Sequence, residues 1–494
     1  MWKSIKNCEL VNLKELEPLL ITQLREEILD KLHSGGRLLA LFCDRNIHFI
    51  YCIIALDKHS QLMMGCAFIH GAAEYESLTQ HFPACEMFER ELFETTHIRP
   101  LNHPNLKPLR NHSNPFLFHQ VHSKEVHEVG VGPVHAGIIE PGYFRFNALG
   151  EKILHLEIQL GYQHKGIEKL FEDFSKQGRG LHLEPLAEAI VGDSAIAHTL
   201  AYVHAIESLC KLKVPKRAQH IRTLALELER IGNHLGNIGD ILGDIGYYLG
   251  KDAFIALKTE VINAMLKICG SRFGISLISV GGVNYSLADD FVQELAELLT
   301  RVKHNAKVYF KIHVTENSSV LSRLEGTGIV TLQDAMNHGF VGLTARSCGM
   351  DLDVRSDYPC GVFQEYPIKN TLFENGDVFD RTVIRFVEIL HSIEWIIQDL
   401  ERYTTSESRE IFLHNSSSTH YLANHCVVSL VEGWRGEIMH CVLTDDNGHF
   451  ERYKIKDASF NNWNALPLAV YGEGISDFPL CNKSFNLSYS GHDL

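Results

Sequence analysis

Twelve cysteines are the side chains of this chain best suited to bind a soft metal such as zinc, iron or nickel. Local ligand pairs for such metals are usually separated by two residues, as in Cys-x-x-Cys. The twelve lie at Cys8, Cys43, Cys52, Cys66, Cys85, Cys210, Cys269, Cys348, Cys360, Cys426, Cys441 and Cys481. Because no two have that separation, the sequence predicts no cluster or zinc site built from neighbouring cysteines. The scattered thiols are typical of reduced, mostly buried residues in a cytosolic chain.

Four histidines form the other set that could hold zinc, namely His119, His122, His127 and His135. Their spacings alternate between strand and loop periods, and no cysteine or carboxylate completes a known ligand set. Solvated histidines in a linker are the commoner reason for such a pattern. The spacing is compatible with either interpretation.

The composition is that of a globular protein, with 45% hydrophobic and 22% charged residues. Its 494 residues are enough for two or three domains. The formal charge of -15, without a local run of lysine or arginine, argues against binding to nucleic acid or anionic lipid. No uninterrupted apolar run approaches the ~20 residues of a membrane span, so any membrane role is predicted to be peripheral.

The first part of the chain alternates short apolar runs with charged turns over residues 37–70, which predicts antiparallel strands. A helix-like stretch from Leu10 to Leu32 precedes these strands. Residues 1–105 are therefore predicted to form a small α+β domain. Residues 106–130 carry prolines, asparagines and histidines without steady periodicity, as a linker does.

Residues 131–494 have a different character, because long helical periods replace the short strands. From Ala218 to Gly246 apolar residues recur every three or four positions, which places them on one helix face. A second stripe with the same spacing consists of Gly232, Gly236, Gly239 and Gly243. Glycine inside a helix is unfavourable, so the stripe predicts that another backbone passes close by. The alternative is a helix that ends near Gly232.

A further helix is predicted from Phe379 to Tyr403, on the same periodicity. Three strands are predicted between Val427 and Ile455, the last two joined by a turn at residues 445–448. The predicted fold class is therefore α+β. It comprises a small N-terminal α+β domain and a mainly helical domain with a small β-sheet.

Five segments carry a resemblance to a known family: Gly132-Pro133-Val134-His135, Gly161-Tyr162-Gln163-His164-Lys165-Gly166, Glu229-Arg230-Ile231-Gly232-Asn233-His234, Asp353-Val354-Arg355 and Arg435-Gly436-Glu437. Here the chain resembles the large subunit of membrane-bound nickel–iron hydrogenases and the related 49-kDa subunit of respiratory complex I. Residues 88–92 and 102–104 resemble the 30-kDa complex I subunit. A chain that fuses these two parts is similar to the large subunit of hydrogenase-4 and formate hydrogenlyase complexes. The resemblance implies a 30-kDa-like domain at residues 1–105, a linker at 106–130 and a large-subunit-like domain at 131–494.

In an active hydrogenase, the resemblance implies, a Cys-x-x-Cys pair near each end of the large subunit holds nickel and iron through four thiolates. Here the first pair falls on Val191 and Ser194, and the second on Ser488 and Gly491. His198 takes the place of the histidine that follows the first pair. Valine and glycine have no donor atom, and a serine hydroxyl is a poor substitute for thiolate. No metal is therefore predicted at these positions, and nickel-dependent hydrogenase activity is not expected.

The complex I relatives also lack nickel, and they hold a quinone between a histidine on the first β-turn and a tyrosine on the following helix. His135 and Glu140 match the turn, but the tyrosine's position falls near Gly192 or Asp193. Glu140 also matches the hydrogenase glutamate that moves protons; the alternative is a glutamate that ties the turn to backbone or arginine. Asp193 and His198 are expected to line the wall of the cavity. The more specific hypothesis is that they carry protons.

The resemblance implies a peripheral subunit of a hydrogenase-4-like, complex I-related oxidoreductase, on the cytoplasmic face of the inner membrane. It would couple electron transfer or conformational change to ion translocation without its own nickel–iron site. Expected partners are a small iron–sulfur subunit, which carries the clusters, and antiporter-like membrane subunits. No cofactor is predicted for this chain itself, although the resemblance is compatible with a bound quinone. The alternatives are a quinone-reducing subunit of the NADH:quinone oxidoreductase type and a metal-free structural scaffold.

Overall fold

The computed structural model describes residues 2–69, 74–137, 139–178, 182–405, 409–413 and 421–494. The N-terminal elements are β1 (Lys3–Ile5), β2 (Leu10–Asn12), α1 (Ile21–His33), β3 (Arg37–Cys43), β4 (Phe49–Leu56), β5 (Gln61–Phe68), β6 (Glu74–Glu76), α2 (Glu86–Thr96) and β7 (Arg99–Leu101). Strands β1, β5, β4 and β3 form one sheet in that order, and all of its pairs are antiparallel. The strands predicted between residues 37 and 70 are confirmed.

The central elements are β8 (Val126–Val131), β9 (Tyr143–Leu149), β10 (Lys152–Gln159), α3 (Ile167–Lys176), α4 (Glu184–Glu188), α5 (Ala195–Leu209), α6 (Lys216–Asp244), α7 (Tyr248–Cys269), β11 (Ile278–Ser279), β12 (Gly282–Val283), α8 (Asp289–Phe310), α9 (Ser318–Leu324), α10 (Leu332–His338), α11 (Gly342–Ser347), α12 (Val354–Asp357) and α13 (Val378–Thr405). The C-terminal elements are β13 (His425–Gly433), β14 (Gly436–Thr444), β15 (Phe450–Lys456), α14 (Ala458–Asn462), α15 (Ala465–Val470), α16 (Phe478–Phe485) and α17 (Tyr489–Asp493). The helix predicted from Phe379 and the three late strands are confirmed, and so is the α+β fold class.

The helix predicted from Leu10 to Leu32 is wrong in its first half. Pro18 interrupts the stretch, and α1 begins only at Ile21, because a proline inside a helix removes a backbone donor and clashes with the preceding turn. The segment Leu10–Asn12 is instead a strand, which pairs with β13 of the C-terminal sheet. The N-terminal part therefore contributes a strand to a sheet of the larger part. The boundaries 1–105, 106–130 and 131–494 stay predictions.

Helix α6 runs unbroken through the glycine stripe for 29 residues. A β-carbon built on Gly239 would lie 3.1 Å from the backbone oxygen of Lys251, and one on Gly236 would lie 2.8 Å from Nζ of Lys258. Both lysines belong to α7, so this helix packs along the stripe. The predicted close approach is confirmed, and the alternative of a helix that ends near Gly232 is wrong.

The sheet that positions the site has the strand order β15-β14-β13-β2. Every residue of β14 is buried, because α5 covers one face of the sheet and the N-terminal β-sheet packs on the other. Helix α6 lies between α7 and α13 in the adjacent helical layer. Among the described residues, none of the helices is long and apolar enough to cross a membrane.

Candidate functional site

The four positions at which the resemblance implies metal ligands lie together in the fold. Ser194 directly precedes α5, and Ser488 caps α17 by accepting a hydrogen bond from the backbone N–H of Gly491 at 2.9 Å. A β-carbon built on Gly491 would lie 3.0 Å from Cγ2 of Val191. Tertiary structure thus joins two segments that are about 300 residues apart in the chain.

The residues at this point do not fit a nickel–iron centre. Neither pair offers a thiolate, and the Val191 side chain and the Asp457 carboxylate pack against Gly491 where a ligand side chain would start. Across the parts of the chain that the structure describes, no group of three or more histidine, cysteine or acidic side chains could hold a metal ion. His119 lies beside His155, and His135 bonds to a carbonyl, so these two histidines do not share a ligand set.

The close packing at Gly491 makes a testable prediction. We expect Gly491→Ala to lower the free energy of unfolding by about 1–3 kcal/mol, because the added methyl group would lie 2.7 Å from Asp457 Oδ1. Gly192→Ala is the matched control, since a β-carbon there meets no atom within 4 Å. Urea unfolding of both variants measures the difference. Equal stability of the two would contradict the packing described here.

His198 lies in a chain of hydrogen-bonded side chains that sequence reasoning did not reveal. Its Nε2 is 3.3 Å from Oδ2 of Asp457, and its Nδ1 is 3.1 Å from Nε2 of His440. Nδ1 of His440 is in turn 2.8 Å from the hydroxyl of Tyr453. All four side chains are almost completely buried. The chain leads from the Gly491 position into strands β14 and β15.

The ionisation states of Asp457, His440 and Tyr453 limit how protons are arranged along these four side chains. Burial alone would raise the pKa of Asp457, but the hydrogen bond and charge of His198, with Arg435, lower it to about 2. Burial and the neighbouring His198 hold the pKa of His440 well below its usual value, and burial raises that of Tyr453. With a neutral His198, Tyr453 donates to His440, His440 to His198 and His198 to Asp457; with a charged His198, the bonds between His198 and His440 and between His440 and Tyr453 run the other way. Such an aligned chain can pass a proton along its length.

Asp193 has a different environment from His198. Its carboxylate accepts two hydrogen bonds from Arg435, at 2.6 and 2.8 Å, and its backbone oxygen accepts one from the Trp434 indole at 2.8 Å. Arg435 also lies 3.4 Å from the hydroxyl of Ser194. Asp193 thereby fixes the loop before α5 to the turn between β13 and β14, and it does not contact His198 through any hydrogen bond in the described structure.

Glu140 and His135 hold the turn that precedes β9. The two carboxylate oxygens of Glu140 accept hydrogen bonds from the backbone N–H groups of Tyr489 and Ser490, at 3.2 and 3.3 Å. Nε2 of His135 is 2.8 Å from the carbonyl of Gly142. The contacts of Glu140 are those of a residue that ties the turn to backbone, in this case the first turn of α17. Its role as a proton carrier stays a prediction.

Glu229 is a further carboxylate that the sequence did not single out as a site residue. Burial raises its pKa to about 8, although it accepts hydrogen bonds from the backbone N–H groups of Ile196 and Ala197. It lines a cleft of about 240 Å³ together with Gly192, Asp193 and Asn237. Its position within the quoted Glu229–His234 motif was the only sequence signal. The cleft gives solvent a route to the loop before α5.

A network of buried ion pairs lies beside the site and holds its elements in place. Arg346 pairs with Asp353, Glu388 and Glu432, at 3.4, 2.7 and 2.8 Å. Arg355 continues the network from Asp353 to Glu227, and Arg230 joins Glu227 to Glu388. Arg346, Asp353 and Arg355 thus all take part in buried ion pairs. The network lies between α6, α13 and the β13–β14 turn, so it fixes the elements that carry the site.

The network makes stability depend on pH through Glu432. Burial and the charge of Asp353 raise the pKa of Glu432 from 4.5 to about 7, against the effect of Arg346. The folded chain therefore binds this proton more tightly, and the stability that it contributes below pH 4.5 is lost as the pH rises through 7.

We expect urea-unfolding midpoints between about pH 5 and pH 8 to fall less steeply with pH in Glu432→Gln than in the native chain. Glu437→Gln is the control, because Arg37 and Lys456 outweigh burial and lower the pKa of Glu437 to about 2. That variant should keep the native slope. A native slope in Glu432→Gln would rule out this residue as the titrating group.

Two family models match parts of this chain. Residues 244–493 match the family model described as respiratory-chain NADH dehydrogenase, 49 Kd subunit. Residues 24–120 match the model described as respiratory-chain NADH dehydrogenase, 30 Kd subunit. The resemblance of the two parts of the chain to these subunits is thereby confirmed.

Curated relatives come from hydrogenases and quinone oxidoreductases. The carbon monoxide-induced hydrogenase of Rhodospirillum rubrum is 28% identical over 72% of this chain and 96% of its own. Formate hydrogenlyase subunit 5 of Escherichia coli is 25% identical over 93% of this chain and 85% of its own. NADH-quinone oxidoreductase subunit 4 of Thermus thermophilus is 29% identical over 72% of this chain and 90% of its own.

A solved structure shares the fold. A chain of the membrane-bound sulfane sulfur reductase, an archaeal respiratory membrane complex, superposes with a TM-score of 0.68 at 22% identity. The match covers 76% of this chain and all of the other. On the family match over residues 244–493, this chain belongs to the family of the 49-kDa subunit of respiratory-chain NADH dehydrogenase.

Proposed function

We propose that this chain is a nickel-free, peripheral subunit of a membrane-bound, complex I-related oxidoreductase complex of the hydrogenase-4 type. The observation that carries the proposal is the packing at the four ligand positions, where Val191 and Asp457 take the space beside Gly491. A chain that retained the metal would need thiolates at these positions. Hydrogen chemistry at nickel is therefore absent from the proposed role.

The partners follow from the names of the relatives. A hydrogenase, a formate hydrogenlyase subunit and an NADH-quinone oxidoreductase subunit all match most of their length to this chain. We assign it a small iron–sulfur subunit and antiporter-like membrane subunits as partners, on the cytoplasmic face of the inner membrane. The iron–sulfur clusters would belong to the partner. This chain binds no cofactor of its own in the proposed complex.

In that complex the chain couples events in its partners to ion translocation through the aligned side chains Tyr453, His440, His198 and Asp457. Their burial excludes competing water, and each proton shift along them needs no movement of the backbone. The quinone-reducing alternative has less support. The quinone-binding tyrosine of the complex I relatives would fall near Gly192 or Asp193, and the residues described around that cleft include no tyrosine.

The composition of the native complex tests the proposal. Affinity isolation from membranes through a tag on this chain should recover an iron–sulfur protein and antiporter-like membrane proteins. Elemental analysis should find iron but no stoichiometric nickel. About one nickel per chain would refute the nickel-free assignment, whereas isolation without any cluster-bearing partner would leave only the scaffold alternative.

A further inference from the structure

Four large apolar side chains lie exposed on one face of the chain, outside the site described above. They are Ile329, Leu332, Met336 and Tyr471, and their exposed fractions run from 44% to 71%. We call this set the α10 face. A cluster of this kind is typical of a surface that another molecule covers, and methionine and aromatic residues are enriched in protein interfaces.

The fold brings these four side chains together. Leu332 and Met336 are four residues apart on α10, so they lie on the same side of that helix. Helix α10 packs beside α15, and Tyr471 directly follows α15. The backbone N–H just before Ile329 donates a hydrogen bond at 2.9 Å to Glu473, which is close to Tyr471 in sequence. The α10 face is therefore one continuous surface.

Three carboxylates surround the α10 face: Asp334, Glu374 and Glu473. Asp334 belongs to α10 itself, and Glu473 accepts the hydrogen bond from the residue before the exposed isoleucine. Glu374 and Leu332 both come within 4.0 Å of a β-carbon built on Gly349, so they are neighbours. Among the described residues, none of the three carboxylates forms an ion pair with a lysine, arginine or histidine.

The cations near this face do not neutralise its rim. Lys152 offsets one of the three charges, because its side chain lies near Gly472, next to Tyr471. Arg323 is already paired with Asp477 at 2.8 Å. The α10 face is thus apolar at its centre and negative around it. A partner that fits it presents apolar side chains among lysines or arginines.

We propose that the α10 face binds a cytoplasmic loop of an integral membrane subunit of the complex. Loops on that side of a membrane carry an excess of lysine and arginine close to the ends of the spans, and so supply the charge that the rim attracts. The same rim repels anionic lipid headgroups, which disfavours the bilayer itself as the occupant. The inference rests on the proposed function, from which it takes the membrane partner.

One buried arginine connects the α10 face to the elements around the site. Arg381 of α13 donates hydrogen bonds to the carbonyl of Gly328 and to the hydroxyl of Ser484, each at 2.9 Å. Gly328 directly precedes Ile329, and Ser484 belongs to α16, which leads into α17. A loop bound at the α10 face therefore contacts a segment that is a single side chain away from α16.

Photo-crosslinking in the native complex tests the inference. Met336 is replaced by benzoylphenylalanine in the tagged full chain, and the complex is isolated from membranes after irradiation. We expect the cross-linked peptide to come from a loop of an integral membrane subunit, with lysine or arginine beside its membrane span. A cross-link to the iron–sulfur partner, or none although membrane subunits are recovered, would overturn the inference and leave the proposed function standing. Recovery of no membrane subunit with the native chain would defeat both.

A substitution at the same position gives a second measurement. Met336→Glu should lower the recovery of integral membrane subunits about tenfold relative to the iron–sulfur protein, because it places an anion in the apolar centre of the face. Leu249→Glu is the matched control, since Leu249 is 67% exposed at the start of α7, outside the α10 face. It should keep the native recovery. Unchanged recovery in Met336→Glu, or the same loss in both variants, would contradict the assignment of this surface.

Discussion

Replacing His198 by glutamine is expected to lower proton translocation by the assembled complex about a hundredfold, because it removes the link between Asp457 and His440 in the buried chain of four side chains. Glutamine can accept and donate hydrogen bonds, but its amide does not exchange a proton between two sides as an imidazole does. The prediction rests on the contacts of His198 with Asp457 and His440, at 3.3 and 3.1 Å. Membrane vesicles from cells that carry the variant give the measurement.

The control for this variant is His204→Gln, the same substitution six residues further along α5. Nδ1 of His204 has no hydrogen-bond partner in the described part of the chain, so this residue is outside the proton path. Normal translocation in His198→Gln, or an equal loss in His204→Gln, would reject the relay.

The second large effect is expected on stability. Glu388→Gln should lower the free energy of unfolding by about 3–5 kcal/mol, because it removes one anion from a buried network in which Arg346 and Arg230 share their counter-charges. The carboxylate contacts Arg346 at 2.7 Å, His234 at 2.9 Å and Arg230 at 3.5 Å. Burial alone would raise its pKa, but these groups hold it well below the usual value, so the folded chain contains the anion. Urea unfolding followed by circular dichroism measures the loss.

Glu394→Gln provides the comparison on the same helix. Its side chain is half exposed and pairs with Lys303 at 2.6 Å, and exposed ion pairs contribute only ~0–1 kcal/mol. Both variants remove one carboxylate from α13, so the difference between their free energies of unfolding reports the effect of burial rather than of charge alone. Similar stability of Glu388→Gln and Glu394→Gln would show that the network contributes little to holding α6, α13 and the β13–β14 turn together.

Local features were readable from the chain itself. The period of apolar residues predicts α6 and α13, and the alternation predicts β3 to β5, because each pattern repeats within the element that it forms. The glycine stripe likewise predicts the approach of α7. The prediction fails at Leu10–Asn12, where a strand of three residues pairs with β13, more than 400 residues away, and no local periodicity marks such a partner.

The residue types at Val191, Ser194, Ser488 and Gly491 are fixed by the sequence alone, and donor chemistry is a property of each side chain. What replaces the missing ligands was decided only by the fold. Asp457 reaches His198 across 259 residues, and it follows a strand whose pattern gives no sign of a site. Such contacts depend on how α5, β14 and β15 pack together. The sequence determined which donor atoms stand at these four positions, whereas long-range packing decided which buried groups meet around them.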